Sequence, residues 1–364
     1  MEGEVADLLP DLVALRRDLH AHPELAFNEH RTAGVVAATL RELGLDVHEG
    51  IAGTGVVGVL SQGSGRRTIG LRADMDALPI VEQGERSHIS RVAGVHHGCG
   101  HDGHTAILLG AARLLARTRR FDGTVRFIFQ PAEEGRGGAR AMIEEGLFDR
   151  LPCDAVYALH NWPDLPLGSA ATRPGPIMAA ADRFDIVVRG RGGHAAQPHR
   201  TPDAVLAASE LVCQLHTIVS RRVAPTESAV LSVTRISGGQ SHNVLPSAVE
   251  ITGTVRSFDA TVQDTIAVPL ARATINSERE AGVALAAARA AGLDAGVAAA
   301  PAFTSEDFAF MLRKVPGAYL SLGQGRARGV DSPPLHHPSY DFNDDALAHG
   351  IAWFAEVVEL EIAR

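Results

Sequence analysis

Apolar residues at Val5, Leu8, Leu9, Leu12, Leu15 and Leu19 recur at helical spacing, so the chain is expected to open with an amphipathic helix. Pro23 disfavours helix at the residue before it and places the stop in His20-Ala21-His22-Pro23-Glu24. A second helix is expected from about Asn28 to Leu43, stopped by Gly44. Short β-rich runs follow at Gly55–Leu60 and Thr68–Ala73, then a helix over Thr105–Ala116, a strand over Thr124–Phe129, a short helix over Ala139–Gly146 and a strand over Ala155–Leu159. This alternation predicts an α/β protein with a mostly parallel sheet covered by helices.

The pattern changes near residue 178. Strands are expected at Phe184–Val188, Ala229–Ile236 and Val249–Phe258, with a helix at Asp203–Val219, which is the order of a smaller inserted α+β domain. Helical composition returns at about Ala273 and runs to Leu293; a helix at Thr304–Leu312, a strand at Ala318–Leu322 and a helix at Asp344–Ile362 close the chain. The expected organisation is a catalytic domain of residues 1–178 plus 273–364, interrupted by an inserted domain of residues 179–272.

The polar clusters fall just past strand ends: Asp74 and Asp76, Glu133 and Glu134, His160. In open α/β sheets ligands bind outside the carboxyl ends of the strands, so these clusters can share one crevice. A further run, His96-His97-Gly98-Cys99-Gly100-His101-Asp102-Gly103-His104, holds four His, one Cys and one Asp among glycines that allow tight turns. It reads as part of a metal site; the bland alternative is a polar turn with solvated histidines. On a helix Cys99 and His101 would face nearly opposite ways, whereas in a loop both can reach one ion.

The 364 residues suffice for two domains with real cores. The net charge of −9, with no Lys/Arg cluster, argues against nucleic acid as partner. No apolar run is long enough to span a membrane, and the acidic, amphipathic start does not look like a signal peptide, so a cytoplasmic protein is expected. Three cysteines make no disulfide framework, and Cys153 and Cys213 read as small buried hydrophobes. Lys314 is the sole lysine, which nearly excludes Schiff-base chemistry.

A two-metal hydrolytic centre needs roughly five protein ligands, one of them bridging, and a carboxylate for the proton of the attacking water. The clusters offer Cys99, His101, one of Glu133 and Glu134, His160, and one of His336 and His337. A thiolate can bridge two ions, and adjacent glutamates point in different directions, so one can bind metal while the other handles the proton. The Glu pair could instead be a solvated turn.

Five motifs appear in order: Leu71-Arg72-Ala73-Asp74-Met75-Asp76-Ala77-Leu78-Pro79, Cys99-Gly100-His101-Asp102-Gly103-His104, Gln130-Pro131-Ala132-Glu133-Glu134-Gly135, Gly192-Gly193-His194-Ala195-Ala196 and Leu335-His336-His337-Pro338. Together they resemble the amidohydrolase branch of the M20 metallopeptidases, which includes hippurate hydrolases, N-acyl-amino-acid amidohydrolases and auxin-conjugate hydrolases. The resemblance covers nearly the whole chain. It implies a dinuclear metal-dependent hydrolase of N-acyl or aminoacyl amino acids, with metal ligands at Cys99, His101, Glu134, His160 and His336 and with Glu133 as general base and acid. It favours His336 because the family pattern is Leu-His-x-Pro. It implies that Asp76 and Asp102 orient ligands, that His194 reaches a partner subunit's active site, and that Asn243 and Arg256 hold the substrate carboxylate. Without it, Arg256 would read as a solvated strand residue, Asn243 as a turn residue and His194 as a loop histidine.

Mixed S, N and O ligands suit Mn, Zn, Ni or Co. The inserted domain resembles a dimerisation domain, which implies a homodimer, but the stretch near 259–275 is shorter than the resemblance leads one to expect and puts that dimer in doubt. Two other readings compete. In one, Cys99 is a nucleophile with His101 or His104 as base, which leaves Glu133, Glu134, His160 and His336 without a task. In the other, the chain is a non-catalytic binding relative that keeps the pocket.

Overall fold

The structure, a computed structural model, describes residues 2–266, 273–325 and 333–363. Two compact units divide the chain. The first comprises residues 1–177, 275–300 and 307–364; the second comprises 178–274 and 301–306.

The first unit is built on an eight-stranded sheet in the order Asp46–Ile51, Gly55–Gln62, Gly123–Gln130, Thr68–Asp74, Ala155–Pro166, Gly317–Gly325, Ser169–Thr172, Asp294–Val297. Its middle is parallel: Thr68–Asp74 runs with Gly123–Gln130 and Ala155–Pro166, and the latter with Gly317–Gly325. The flanks turn antiparallel, as between Gly55–Gln62 and both of its neighbours. The sheet is thus mostly parallel at its centre and covered by helices, as expected of an α/β domain.

Helix His101–Thr118 lies at the centre of the core, buried from His101 through Ala112. The helices Leu9–Ala21 and Ala346–Glu361 pack against it. The opening amphipathic pattern is realised as two helices, Glu2–Ala6 and Leu9–Ala21, with Pro10 in the first turn of the second, where its missing N–H costs no hydrogen bond. The alanine-rich stretch is helical only over Glu278–Ala290; it is preceded by strand Thr274–Asn276, and Gly292, at φ 82°, turns the chain into strand Asp294–Val297. Only Ala309–Leu312 of the expected Thr304–Leu312 helix forms. Among the described residues no helix is long and apolar enough to cross a membrane.

The second unit has a three-stranded antiparallel sheet in the order Ala229–Ser237, Ala248–Ser257, Ala180–Arg189. Helix Ala204–Arg222 buries Ala204 and Ala208 against Val249 and Ile251 of that sheet. The Asp203 carboxylate caps the helix by accepting from the Val205 and Leu206 amides. Residues 301–306, which the periodicity leaves with the catalytic domain, pack with this unit. The Ala179 amide donates to the Ala302 and Thr304 carbonyls, and the Phe258 and Phe303 rings lie 4.8 Å apart. The shortening expected near 259–275 falls partly on residues 267–272, which lie outside the described residues; helix Ala260–Ile266 and strand Thr274–Asn276 flank them. Cys213 is exposed on its helix and Cys153 is half-buried, so neither is the buried hydrophobe that composition suggests.

Candidate metal centre

The run from His96 to His104 is not a continuous loop: the helix begins at His101. Gly100 precedes it at φ 91°, a conformation side chains disfavour, and a Cβ there would meet Asn161 Oδ1 at 2.4 Å and the Tyr340 hydroxyl at 2.6 Å. This sharp junction lets Cys99, before the helix, and His101, in its first turn, reach the same place. Their donor atoms and that of His160 lie within 4.8 Å of one another.

A second triad, Cys99, Glu134 and His336, meets the same limit, so Cys99 is the vertex shared by both. Cys99 Sγ is 3.4 Å from His160 Nε2, and Glu134 Oε1 is 3.3 Å from His336 Nε2. His160 Nδ1 lies 2.8 Å from the Asn161 carbonyl, which accepts its proton and leaves Nε2 with a free lone pair facing the thiol. His160 sits inside strand Ala155–Pro166 and not at its end, because pairing with Gly317–Gly325 continues past His160 and Asn161. His336 is half-exposed, arrives on a left-handed residue (φ 64°) and is fixed by its amide, which donates to the Gly98 carbonyl at 2.7 Å.

Asp76 organises the glutamate pair. Its two carboxylate oxygens accept the Glu133 and Glu134 amides, each at 3.0 Å, and Oδ1 also stands 3.3 Å from His101 Nδ1. Asp74 accepts from Arg72 at 2.8 Å and holds His104 Nδ1 at 2.6 Å. Asp102 Oδ2 is 2.8 Å from His20 Nδ1 and 3.3 Å from Arg16 Nη1, so this oxygen is committed to the opening helix, while Oδ1 is buried without a hydrogen-bond partner. His337 faces its own chain, its Nδ1 accepting the Ser339 amide.

The electrostatics fit divalent cations. Burial pushes the Cys99 thiol well up, and Glu134, Glu133 and Asp74 add to it. Burial opposes a charged His101, but Asp74, Asp76 and Glu134 outweigh it and push the imidazole up to about 10. The carboxylates that raise His101, and that add to the effect of burial on Cys99, concentrate negative charge which a cation would neutralise while keeping the thiol ionised. His101 Nε2, on the ring edge away from Asp76, and Glu134 Oε1 are buried yet make no hydrogen bond, the condition of donor atoms reserved for an ion.

Behind the centre lies a network that sequence reading does not find. His20, expected merely to end a helix, is fully buried between Asp102 and Glu82, whose Oε1 is 3.1 Å from Nε2. Burial lowers its basicity, but the two carboxylates outweigh this and raise it to about 9. The folded value exceeds the unfolded 6.5, so the stabilisation is complete below pH 6.5 and disappears as pH rises through about 9. Melting temperature is therefore expected to decline between pH 7 and 9, and to decline less in His20→Gln; parallel slopes for the two proteins would contradict this assignment.

The remaining predicted residues belong to the second unit. His194 lies on the short strand Gly193–His194, opposite Val244, and its Nδ1 accepts the Ala196 amide. Asn243 is adjacent: its carbonyl accepts the Ala195 amide, and its Oδ1 accepts from the Ser241 hydroxyl. Arg256 donates to Thr254 Oγ1 and the Val255 carbonyl.

A thiol, imidazoles and carboxylates converging at the carboxyl side of a parallel sheet are the marks of an α/β protein with a metal-binding centre. Comparison with known proteins narrows the class. Residues 70–360 match the model of peptidase family M20/M25/M40. The chain is 37% identical over 366 residues to N-acetyl-L-cysteine deacetylase of Bacillus subtilis, covering 94% of this chain and 86% of that one. It is 38% identical to hippurate hydrolase of Campylobacter jejuni, covering 97% of each. Among solved structures, a dinuclear metal-binding peptidase of the M20 family from Bacillus subtilis superposes with a TM-score of 0.83 at 32% identity, covering 98% of this chain and 99% of that one. The chain belongs to the M20 peptidase family and is a hydrolytic enzyme acting on amides.

Proposed function

We propose that this enzyme is a dinuclear metal-dependent hydrolase that cleaves the amide bond of N-acyl or aminoacyl amino acids. The observation that carries this reading is the position of Cys99 at the shared vertex of two ligand triads, beside the glutamate pair. Cys99, His101 and His160 would hold one ion, and Cys99, Glu134 and His336 the other, with the thiolate between them. The mixed S, N and O donors suit Mn, Zn, Ni or Co. Bound ions would supply Lewis-acid polarisation of the amide carbonyl and lower the pKa of water from ~16 toward ~7.

This chain's own residues do the rest. Glu133 takes the proton of the attacking water and delivers it to the leaving nitrogen as the C–N bond breaks, giving a carboxylic acid and an amine. Asp76 keeps the two glutamates on one turn, so that the base stays beside a ligand without becoming one. His194 of a partner subunit polarises the scissile carbonyl, and Asn243 with Arg256 holds the substrate carboxylate, the Arg by a two-pronged hydrogen bond. The relatives named for N-acetylcysteine and for hippurate support a small N-acyl amino acid as substrate.

The test is metal analysis with a hydrolysis screen on one pure sample, over a panel of acyl-amino acids with Mn²⁺ or Zn²⁺. Two ions per chain and amide release are expected, with activity lost on chelation and restored by metal. Activity that survives full metal removal and dies on thiol alkylation would replace this reading with a Cys99 nucleophile. Binding without release would remove acyl-amino acids as its substrates. Scattering that gives a monomer would remove the role of His194 in trans.

A further inference from the structure

We infer that Asp307 is a positioning residue for Glu133, the end of a bracket that runs through Arg72 and fixes the turn carrying the base. The inference rests on the assignment of Glu133 as the base. The turn from Ala132 to Gly137 has an unfavourable backbone: Ala132, Gly135 and Gly137 all have positive φ, and Glu134 departs from helical geometry. Such a turn needs external support to hold a carboxylate in one place.

Asp307 supplies that support on both sides. On the entering side its Oδ1 accepts from the side-chain amide of Gln130, the last residue of the strand, at 2.7 Å. On the leaving side its Oδ2 accepts the main-chain amide of Ala139, in the first turn of the next helix, at 2.9 Å. Its own main-chain amide then points to Glu133 Oε1 at 3.4 Å. One residue thus ties the turn at its start, at its end and at the base itself. The last contact is long, and hydrogen bonds of this kind tighten when substrate binds.

Arg72 anchors the bracket from below. It is fully buried, donates to Gln130 Oε1 and Asp74 Oδ2 at 2.8 Å each, reaches Asp307 Oδ1 at 3.3 Å and lies over the Phe308 ring. Asp74 stands 3.7 Å from His101 Nε2. The same guanidinium therefore joins the support of the base to the support of a ligand and fixes the spacing between them.

Asp307→Asn keeps the main-chain amide and the side-chain shape but removes the charge that pairs with Arg72 and turns one acceptor into a donor facing Gln130 or Ala139. The metal-loaded variant is expected to lose about 10–100-fold in kcat, the usual effect of outer partners of a site, with two ions retained. KM is expected to stay within about twofold, because no substrate contact is removed. A kcat per loaded site equal to wild type overturns the inference, and so does loss of metal or of melting temperature with that kcat unchanged. Should Asp307→Asn fail to fold, Gln130→Met cuts the entering tie together with the bond from Arg72, leaves the Asp307–Ala139 tie in place, and is expected to show the same split; unchanged kcat in that variant overturns the inference too. Glu133→Gln, run alongside, separates the two assignments. Turnover in that variant removes the base itself, whereas a dead Glu133→Gln beside a fully active Asp307→Asn removes only the bracket.

Discussion

Glu133→Ala is expected to lower kcat by about 10²–10⁴-fold, the contribution of a positioned acid–base group. Both ions are expected to remain bound. The reason lies in how the turn is held: Asp76 grips the Glu133 and Glu134 amides, not the Glu133 side chain, so deleting the side chain leaves Glu134 in place. Steady-state kinetics on acyl-amino acids, with metal content measured on the same preparation, checks both halves. Unchanged turnover would sink the mechanism, and loss of an ion would mean that Glu133 is itself a ligand.

Cys99→Ala is expected to act differently, removing metal and turnover together. Each triad falls to two donors once the shared vertex is gone, and three protein ligands per ion is the usual minimum for a catalytic site. Metal content should drop from two toward none, with activity below detection. Cys99→Asp offers an oxygen donor at the same vertex and is expected to recover part of the metal, since a carboxylate can bridge as a thiolate does. If Cys99→Ala binds two ions yet is inactive, the thiol is a nucleophile and not a ligand.

Much of the architecture was legible in the sequence because the central strands are largely apolar runs that lead into polar clusters. Thr68–Asp74, Gly123–Gln130 and Ala155–Pro166 announce themselves this way and deliver Asp74, Glu133, Glu134 and His160 to one side of the sheet. The edge strands Asp46–Ile51 and Asp294–Val297 went unseen because they are half-exposed and carry no strong alternation. The helix start at His101 was missed because Gly100, Asp102 and Gly103 read as loop, while the cap is a left-handed glycine packed against Asn161 and Tyr340. The pairs His20–Glu82 and Arg16–Asp341 join residues 62 and 325 positions apart, beyond any local pattern. Asp307 lies inside a run that reads as helix; a signal that could have found it is Arg72 in the middle of an apolar strand, since a buried guanidinium needs acids around it.

His336 reaches the centre from far along the chain, on a left-handed turn tied to the Gly98 carbonyl and facing Glu134. Ions bound between it and Cys99 would act as a clasp, stitching the end of the chain to its middle across a loop of more than two hundred residues. Closing so long a loop is entropically costly, and ions that bind only the folded chain would add their binding free energy to offset that cost. Resistance to unfolding then scales with free metal, by about 2.7 kcal/mol at a hundredfold excess over Kd. The same donors that make the enzyme reactive would make its endurance a readout of the metal supply around it.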